Sequence, residues 1–116
     1  MNSKLVIYNI EKIEHRDQLL QMCLMMNIEV IQLTDWMTQN KVKDILNKKI
    51  KKSKTKKIAP AIVLFSNVSS SKMDQILNLL KDNQNLCLKA IVTATNFNWS
   101  FEKLIEHLLE EYQKNK

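Results

Sequence analysis

The 116-residue chain has no glycine. A Walker phosphate loop, a G-x-G-x-x-G dinucleotide turn, a glycine-flanked nucleophile elbow and a GXXG nucleic-acid clamp each depend on glycine's backbone freedom or its missing side chain, so all four are excluded. Proline occurs once, at Pro60. No apolar run approaches the ~20 residues that cross a bilayer. The apolar run Leu5 to Tyr8 is too short for the core of a secretory leader, and the chain is expected in the cytoplasm. The two cysteines suit that compartment: Cys23 falls in an apolar helical stretch and Cys87 opens a strand, as buried free thiols do. Histidine is limited to His15 and His107, and these with the cysteines have no paired ligand spacing, so no metal or other cofactor is expected.

What is abundant is lysine, in one place. The net charge is +6, but residues 41–57 hold nine lysines against one acid, Asp44, a local charge of +8 that leaves −2 for the other 99 residues. Lys48, Lys49, Lys51, Lys52, Lys54, Lys56 and Lys57 are therefore the candidates for contact with a nucleic-acid backbone. The run lacks arginine and aromatic residues, which base reading and single-strand stacking favour, so such contact would be weak and blind to sequence. The alternative is a solvated helix face and linker, the ordinary role of a like-charge run.

Hydrophobic patterning organises the rest. Leu5 to Tyr8 and Ala61 to Phe65 are uninterrupted apolar runs and read as strands buried on both faces, whereas 28–33 and 86–94 are broken by Glu29, Gln32 and Lys89 and read as edges. Helical spacing is expected over 11–26 with a stop at Asn27, over 42–50 after an Asn40 cap, after Ser71 with Asp74 as a capping box, and from Ser100 onward. Thr34 and Asp35 should cap a short turn that buries Trp36 and Met37. Trp99 and Leu104 flank the Ser100 cap as a hydrophobic staple for the last helix.

Four strands alternating with four helices predict one three-layer α/β domain over 1–116, its lysine-rich helix and linker at 41–57. The sheet is expected to be mainly parallel in the order 2-1-3-4, a truncated flavodoxin-like arrangement. Right-handed crossovers would put the first and last helices on one face and the middle two on the other. The edge strands permit dimerisation without demanding it.

The stretch Leu88-Lys89-Ala90-Ile91-Val92-Thr93-Ala94-Thr95-Asn96-Phe97-Asn98-Trp99-Ser100, with the Glu/Leu-rich helix after it, resembles the closing signature of domain of unknown function 3783, a family of small bacterial proteins. Tyr8-Asn9 and Pro60 to Val68 are similar to that family's start and central strand, except that it tends to place glycine where this chain has Asn67. The resemblance spans roughly residues 4 to 112, supports the fold and implies no activity.

In a parallel sheet of this order, ligands bind at the carboxyl ends of the strands. Asn9, Ser66, Asn67, Thr95, Asn96 and Asn98 fall there and are the ligand-binding candidates. A phospho-receiver would need paired acids after the first strand and an acceptor aspartate after the third, where the chain has Asn9-Ile10-Glu11 and Ser66-Asn67. No histidine lies near a strand end to activate the serines of 66–71. The expectation is a non-enzymatic α/β domain that binds a small molecule or protein partner at the carboxyl edge, with an accessory nucleic-acid binder as the alternative.

Overall fold

Residues 2–53, 59–81 and 83–114 are described by the computed structural model. β1 (Lys4–Tyr8) and β3 (Ala61–Ser66) are the two uninterrupted apolar runs, and they lie side by side at the centre of a four-stranded sheet. β2 (Glu29–Leu33) and β4 (Cys87–Ile91) flank them in the expected order 2-1-3-4. Strand direction departs from expectation. β1 is parallel to β2 and β3 is parallel to β4, but β1 and β3 are antiparallel, with Lys4 opposite Ser66 and Tyr8 opposite Ile62. The sheet is mixed, so its order agrees with the expected arrangement and its directions do not.

The cause lies in the second helix. α2 covers only Val42–Leu46, not 42–50, and its N-cap position is Lys41 rather than Asn40. Lys48 takes a left-handed conformation (φ 61°), and the Lys49 and Lys48 N–H groups donate to the carbonyls of Asp44 and Ile45 at 2.8 and 3.0 Å. That pairing is a Schellman turn, which ends a helix and reverses the chain. The returning strand of backbone is pinned to the segment it left: Lys51 N–H donates to Asn40 Oδ1 at 2.9 Å and Ser53 N–H to the Trp36 carbonyl at 2.8 Å. The Asn9 amide then donates to the Ala59 carbonyl at 2.7 Å, so the chain arrives beside the end of β1 and must run back along it.

Reversal also decides which helices share a face. α1 (Arg16–Met25) and α3 (Ser70–Leu80) each follow the first strand of a parallel pair. A right-handed crossover that moves left from an upward strand and one that moves right from a downward strand cover the same face. Accordingly Leu19 and Cys23 of α1 pack with Ile76 and Leu80 of α3 against Leu5, Ile7, Val63 and Phe65. Val42 and Ile45 of α2 and the Phe101, Leu104, Ile105 and Leu108 stripe of α4 (Phe101–Lys114) pack on the other face against Val6, Tyr8, Ile62 and Leu64. The first and third helices, not the first and last, are companions.

Apart from an extra 3₁₀ turn at Ile10–Lys12 in the first, the result is two copies of one plan, strand-helix-strand-3₁₀ turn-helix, with 3₁₀ turns at Asp35–Met37 and Asn96–Asn98. A pseudo-two-fold axis normal to the sheet relates them. It passes between β1 and β3 and again between the starts of α2 and α4, where Val42 N–H donates to the Trp99 carbonyl at 2.9 Å and Phe101 N–H to the Asn40 carbonyl at 2.8 Å. Each half thus completes the other's sheet and helix layer.

Smaller corrections follow from local geometry. α1 is preceded by a separate 3₁₀ turn, Ile10–Lys12, because His15 is left-handed (φ 61°) and interrupts the expected helix, although Ile13 is still buried. Ser69, not Ser71, caps α3 by accepting from Lys72 N–H at 3.4 Å. Trp36 is 45% exposed rather than buried. Asn27 does stop α1, with φ 62° and a second Schellman pair to Leu24 and Cys23. Ser100 does cap α4, accepting from Lys103 N–H at 3.1 Å. Among the described residues, no helix is long and apolar enough to cross a membrane.

Candidate functional site

Antiparallel pairing at the centre splits the six ligand-binding candidates between opposite edges of the sheet. Asn9 stands at the end of β1; Ser66 and Asn67 stand at the end of β3, and Thr95, Asn96 and Asn98 follow β4 on that same side. The expected convergence of Asn9 with the others does not occur.

At the first edge the polar groups are occupied by the fold. Tyr8 is fully buried and donates its hydroxyl to Asp35 Oδ1 at 2.5 Å, while its ring meets Phe101 edge-on with centroids 5.8 Å apart. Burial, first, and then the bond to the Asp35 carboxylate push the Tyr8 hydroxyl far above its ordinary pKa, so it stays a donor. Asn9 and Lys12 both donate to the Ala59 carbonyl, at 2.7 and 3.1 Å. Asn9 therefore fastens the start of β3.

At the second edge Asn96 is likewise structural. Its Oδ1 accepts from Thr93 N–H at 2.9 Å, its backbone N–H donates to Thr93 Oγ1 at 3.1 Å and its amide donates to the Ile91 carbonyl at 3.0 Å. These bonds close the turn after β4 and leave the exposed Thr95, Phe97 and Asn98 displayed around it. Asn67 is left-handed (φ 56°) and its carbonyl accepts from Ser3 Oγ at 2.7 Å. The glycine that the resemblance implied at this position is thus replaced by the side chain that best tolerates the same backbone.

Beside Ser66 and Asn67 the second edge holds a cavity of about 530 Å³. Its apolar wall is Leu46, Val92, Ala94 and Phe97. Its polar lining is Asn2, Lys4, Asn47, Ser66, Asn67 and Thr93. The pseudo-symmetry explains why it is open. The axis carries Tyr8 onto Ser66, Ile62 onto Lys4 and Phe101 onto Val42. Where the first edge packs a tyrosine, an isoleucine and a phenylalanine, the second has a serine, a lysine and a valine. An aromatic pair of this kind contributes about 0.5–1.5 kcal/mol beyond the area it buries. The second edge forgoes that contribution and keeps a hollow in its place.

Lys4 gives the cavity its charge. Its ammonium donates to the Leu46 carbonyl and lies 3.9 Å from Glu29 Oε1, while the Lys48 ammonium pairs with Glu29 Oε2. The Lys48 bond and the nearby cations hold the Glu29 carboxyl below its ordinary pKa. Sequence reasoning identified Ser66 and Asn67 but missed Lys4, Leu46 and Asn47. Nothing in the chain's local pattern marks these three, because they reach the end of β3 only through the antiparallel seam.

The lysine candidates divide as well. Lys48 belongs to the Glu29 pair; Lys49, Lys51 and Lys52 are exposed on the returning loop; Lys54, Lys56 and Lys57 lie outside the described residues. Two further features are architectural. Trp99 lies under the Lys103 ammonium at 4.9 Å and meets His107 edge-on at 5.1 Å, and His107 Nε2 is 2.8 Å from Glu111. Cys23 and Cys87 are buried free thiols, and burial pushes the Cys23 thiol up to about 11. Among the described residues, no group of three or more histidines, cysteines or acids could hold a metal ion.

Fold and cavity together define a four-stranded mixed α/β domain with a polar-lined hollow at one sheet edge. Residues 61–114 match the model of the family described as Domain of unknown function (DUF3783). The matched span is the second copy of the plan, from the start of β3 to the end of α4. The Tyr8-Asn9 block of the resemblance falls outside it. Comparison with curated proteins and with solved structures finds no match.

Proposed function

We propose that the chain is a non-catalytic binding domain that takes a small polar ligand in the cavity at the carboxyl ends of β3 and β4. The observation that carries this reading is the contrast between the two edges: Tyr8 and Ile62 fill positions of the plan at one edge whose counterparts at the other, Ser66 and Lys4, line a hollow. A volume of about 530 Å³ falls within the range of small-molecule sites, and its mixture of an apolar wall with a few polar groups is typical of them. Thermal-shift measurement against a metabolite panel tests it. At least one compound should raise the melting temperature of the native chain and not that of Ala94→Phe, which narrows the mouth at an exposed position. Stabilisation that persists in Ala94→Phe and in Ser66→Tyr would place the ligand elsewhere.

A second reading rests on the display of Lys49, Lys51 and Lys52 on a pinned, exposed loop. These would supply sequence-blind contact with a nucleic-acid backbone. Retention on heparin should then fall steeply between 50 and 200 mM salt, at about one power of ten in affinity per decade of salt for each phosphate neutralised. Retention unchanged after Lys49, Lys51 and Lys52 are all replaced by glutamine would count against it.

A further inference from the structure

We infer that the occupant of this cavity is a small singly charged carboxylate with an apolar body, an assignment that rests on the ligand-binding reading above. Three observations carry it. Lys4 is the single charged residue among those that line the hollow, and no acid is among them. Its charge is not cancelled at the rim: Glu29 is shared between the Lys4 and Lys48 ammonium groups, so the three leave one net positive charge. An ammonium has three donors; among the described residues one goes to the Leu46 carbonyl and Glu29 lies 3.9 Å away, which leaves a third for a ligand in the hollow that Lys4 lines.

The lining also decides between anions. Phosphate sites draw on a helix N-terminus, an arginine fork or a nest of backbone N–H groups. No arginine lines the cavity, and α3, the helix that follows β3, lies on the other face of the sheet. One cation with neutral hydroxyl and amide groups from Ser66, Asn67, Thr93 and Asn47 suits a single carboxylate. Leu46, Val92 and Phe97 then offer the rest of the ligand an apolar wall, in the space that the Tyr8 and Phe101 rings fill at the other edge.

The test is an amide NMR titration of the full chain with benzoate, its neutral counterpart benzamide and inorganic phosphate. Benzoate should shift the amides of Ser66, Asn67 and Thr93 and bind at least roughly tenfold more tightly than benzamide, the effect of one charge-assisted hydrogen bond. Lys4→Met should bring benzoate down to the level of benzamide, and Lys4→Arg should keep the preference. Equal binding of benzoate and benzamide by the native chain overturns the carboxylate assignment while the cavity reading stands, and this comparison needs no variant. Phosphate that competes with benzoate at equal concentration overturns it too. If no probe moves these amides the carboxylate assignment falls, and if a compound that stabilises the native chain stabilises Ala94→Phe and Ser66→Tyr equally, the site itself is misplaced and both readings fall.

Discussion

Three asparagines do in this chain what glycine does in others. Asn9, Asn27 and Asn67 all have φ near 60°, each at a point where a strand or helix ends and the chain must turn sharply. The left-handed region costs an ordinary residue about 1–2 kcal/mol, and asparagine less, because its short side chain bonds locally. Asn67→Gly should therefore leave the urea midpoint nearly unchanged, whereas Asn67→Val should lose about 1–2 kcal/mol in the same experiment. The buried thiol of Cys23 gives a pH signature of opposite kind. Burial raises its pKa from 9.0 to about 11, which means the folded state holds the proton more tightly than the unfolded one. Its contribution to stability is complete below pH 9 and is lost as the pH rises towards 11. Urea midpoints of the native chain should fall more steeply over that interval than those of Cys23→Ala; parallel slopes would show the thiol to be ordinary.

At the scale of elements, the decisive one is the shortest helix. A sequence reading sees Val42, Ile45, Leu46 and Ile50 on one stripe and extends α2 through the lysines, because no glycine or proline marks the end. The end is written instead in Lys48, a residue with no preference for the left-handed region, held there by the Schellman pair and its bond to Glu29. Lys48→Ile should cost about 1–2 kcal/mol by denaturant melting, and Lys48→Gly should cost nothing or stabilise slightly, since the backbone strain it relieves matches the unfolded-state entropy and the weak exposed ion pair it gives up. Local pattern carries the two buried strands, the strand order, the Asn27 stop and the Ser100 cap, but it misplaces the caps of α2 and α3 and the start of α1. Strand direction could not, because it follows from where the chain returns after Lys48 and from tertiary bonds such as Asn9 to Ala59. The candidate site inherited that limit. Ser66 and Asn67 were legible as strand-end residues, but their neighbour Lys4, sixty-two positions before Ser66, was legible only once β1 was known to run the other way.

At the scale of the whole molecule, each hydrophobic layer draws on both halves, so neither half owns a core. Unfolding should be a single transition. Trp36 lies in the first half and Trp99 in the second, which allows the prediction to be checked with the two single-tryptophan variants Trp36→Phe and Trp99→Phe. Their fluorescence melts should share one midpoint slope and agree with far-ultraviolet circular dichroism. Two separated transitions in either variant would mean that the halves fold independently. The Tyr8–Phe101 contact acquires a wider meaning from this arrangement. A doubled plan allows a division of labour: one edge, packed with aromatic rings, secures the shared sheet, and its twin is released from that duty. Residues such as Ser66 and Phe97 can then be exchanged to suit a different occupant at little risk to folding, so the hollow edge is the part of this molecule most open to change by selection or by design.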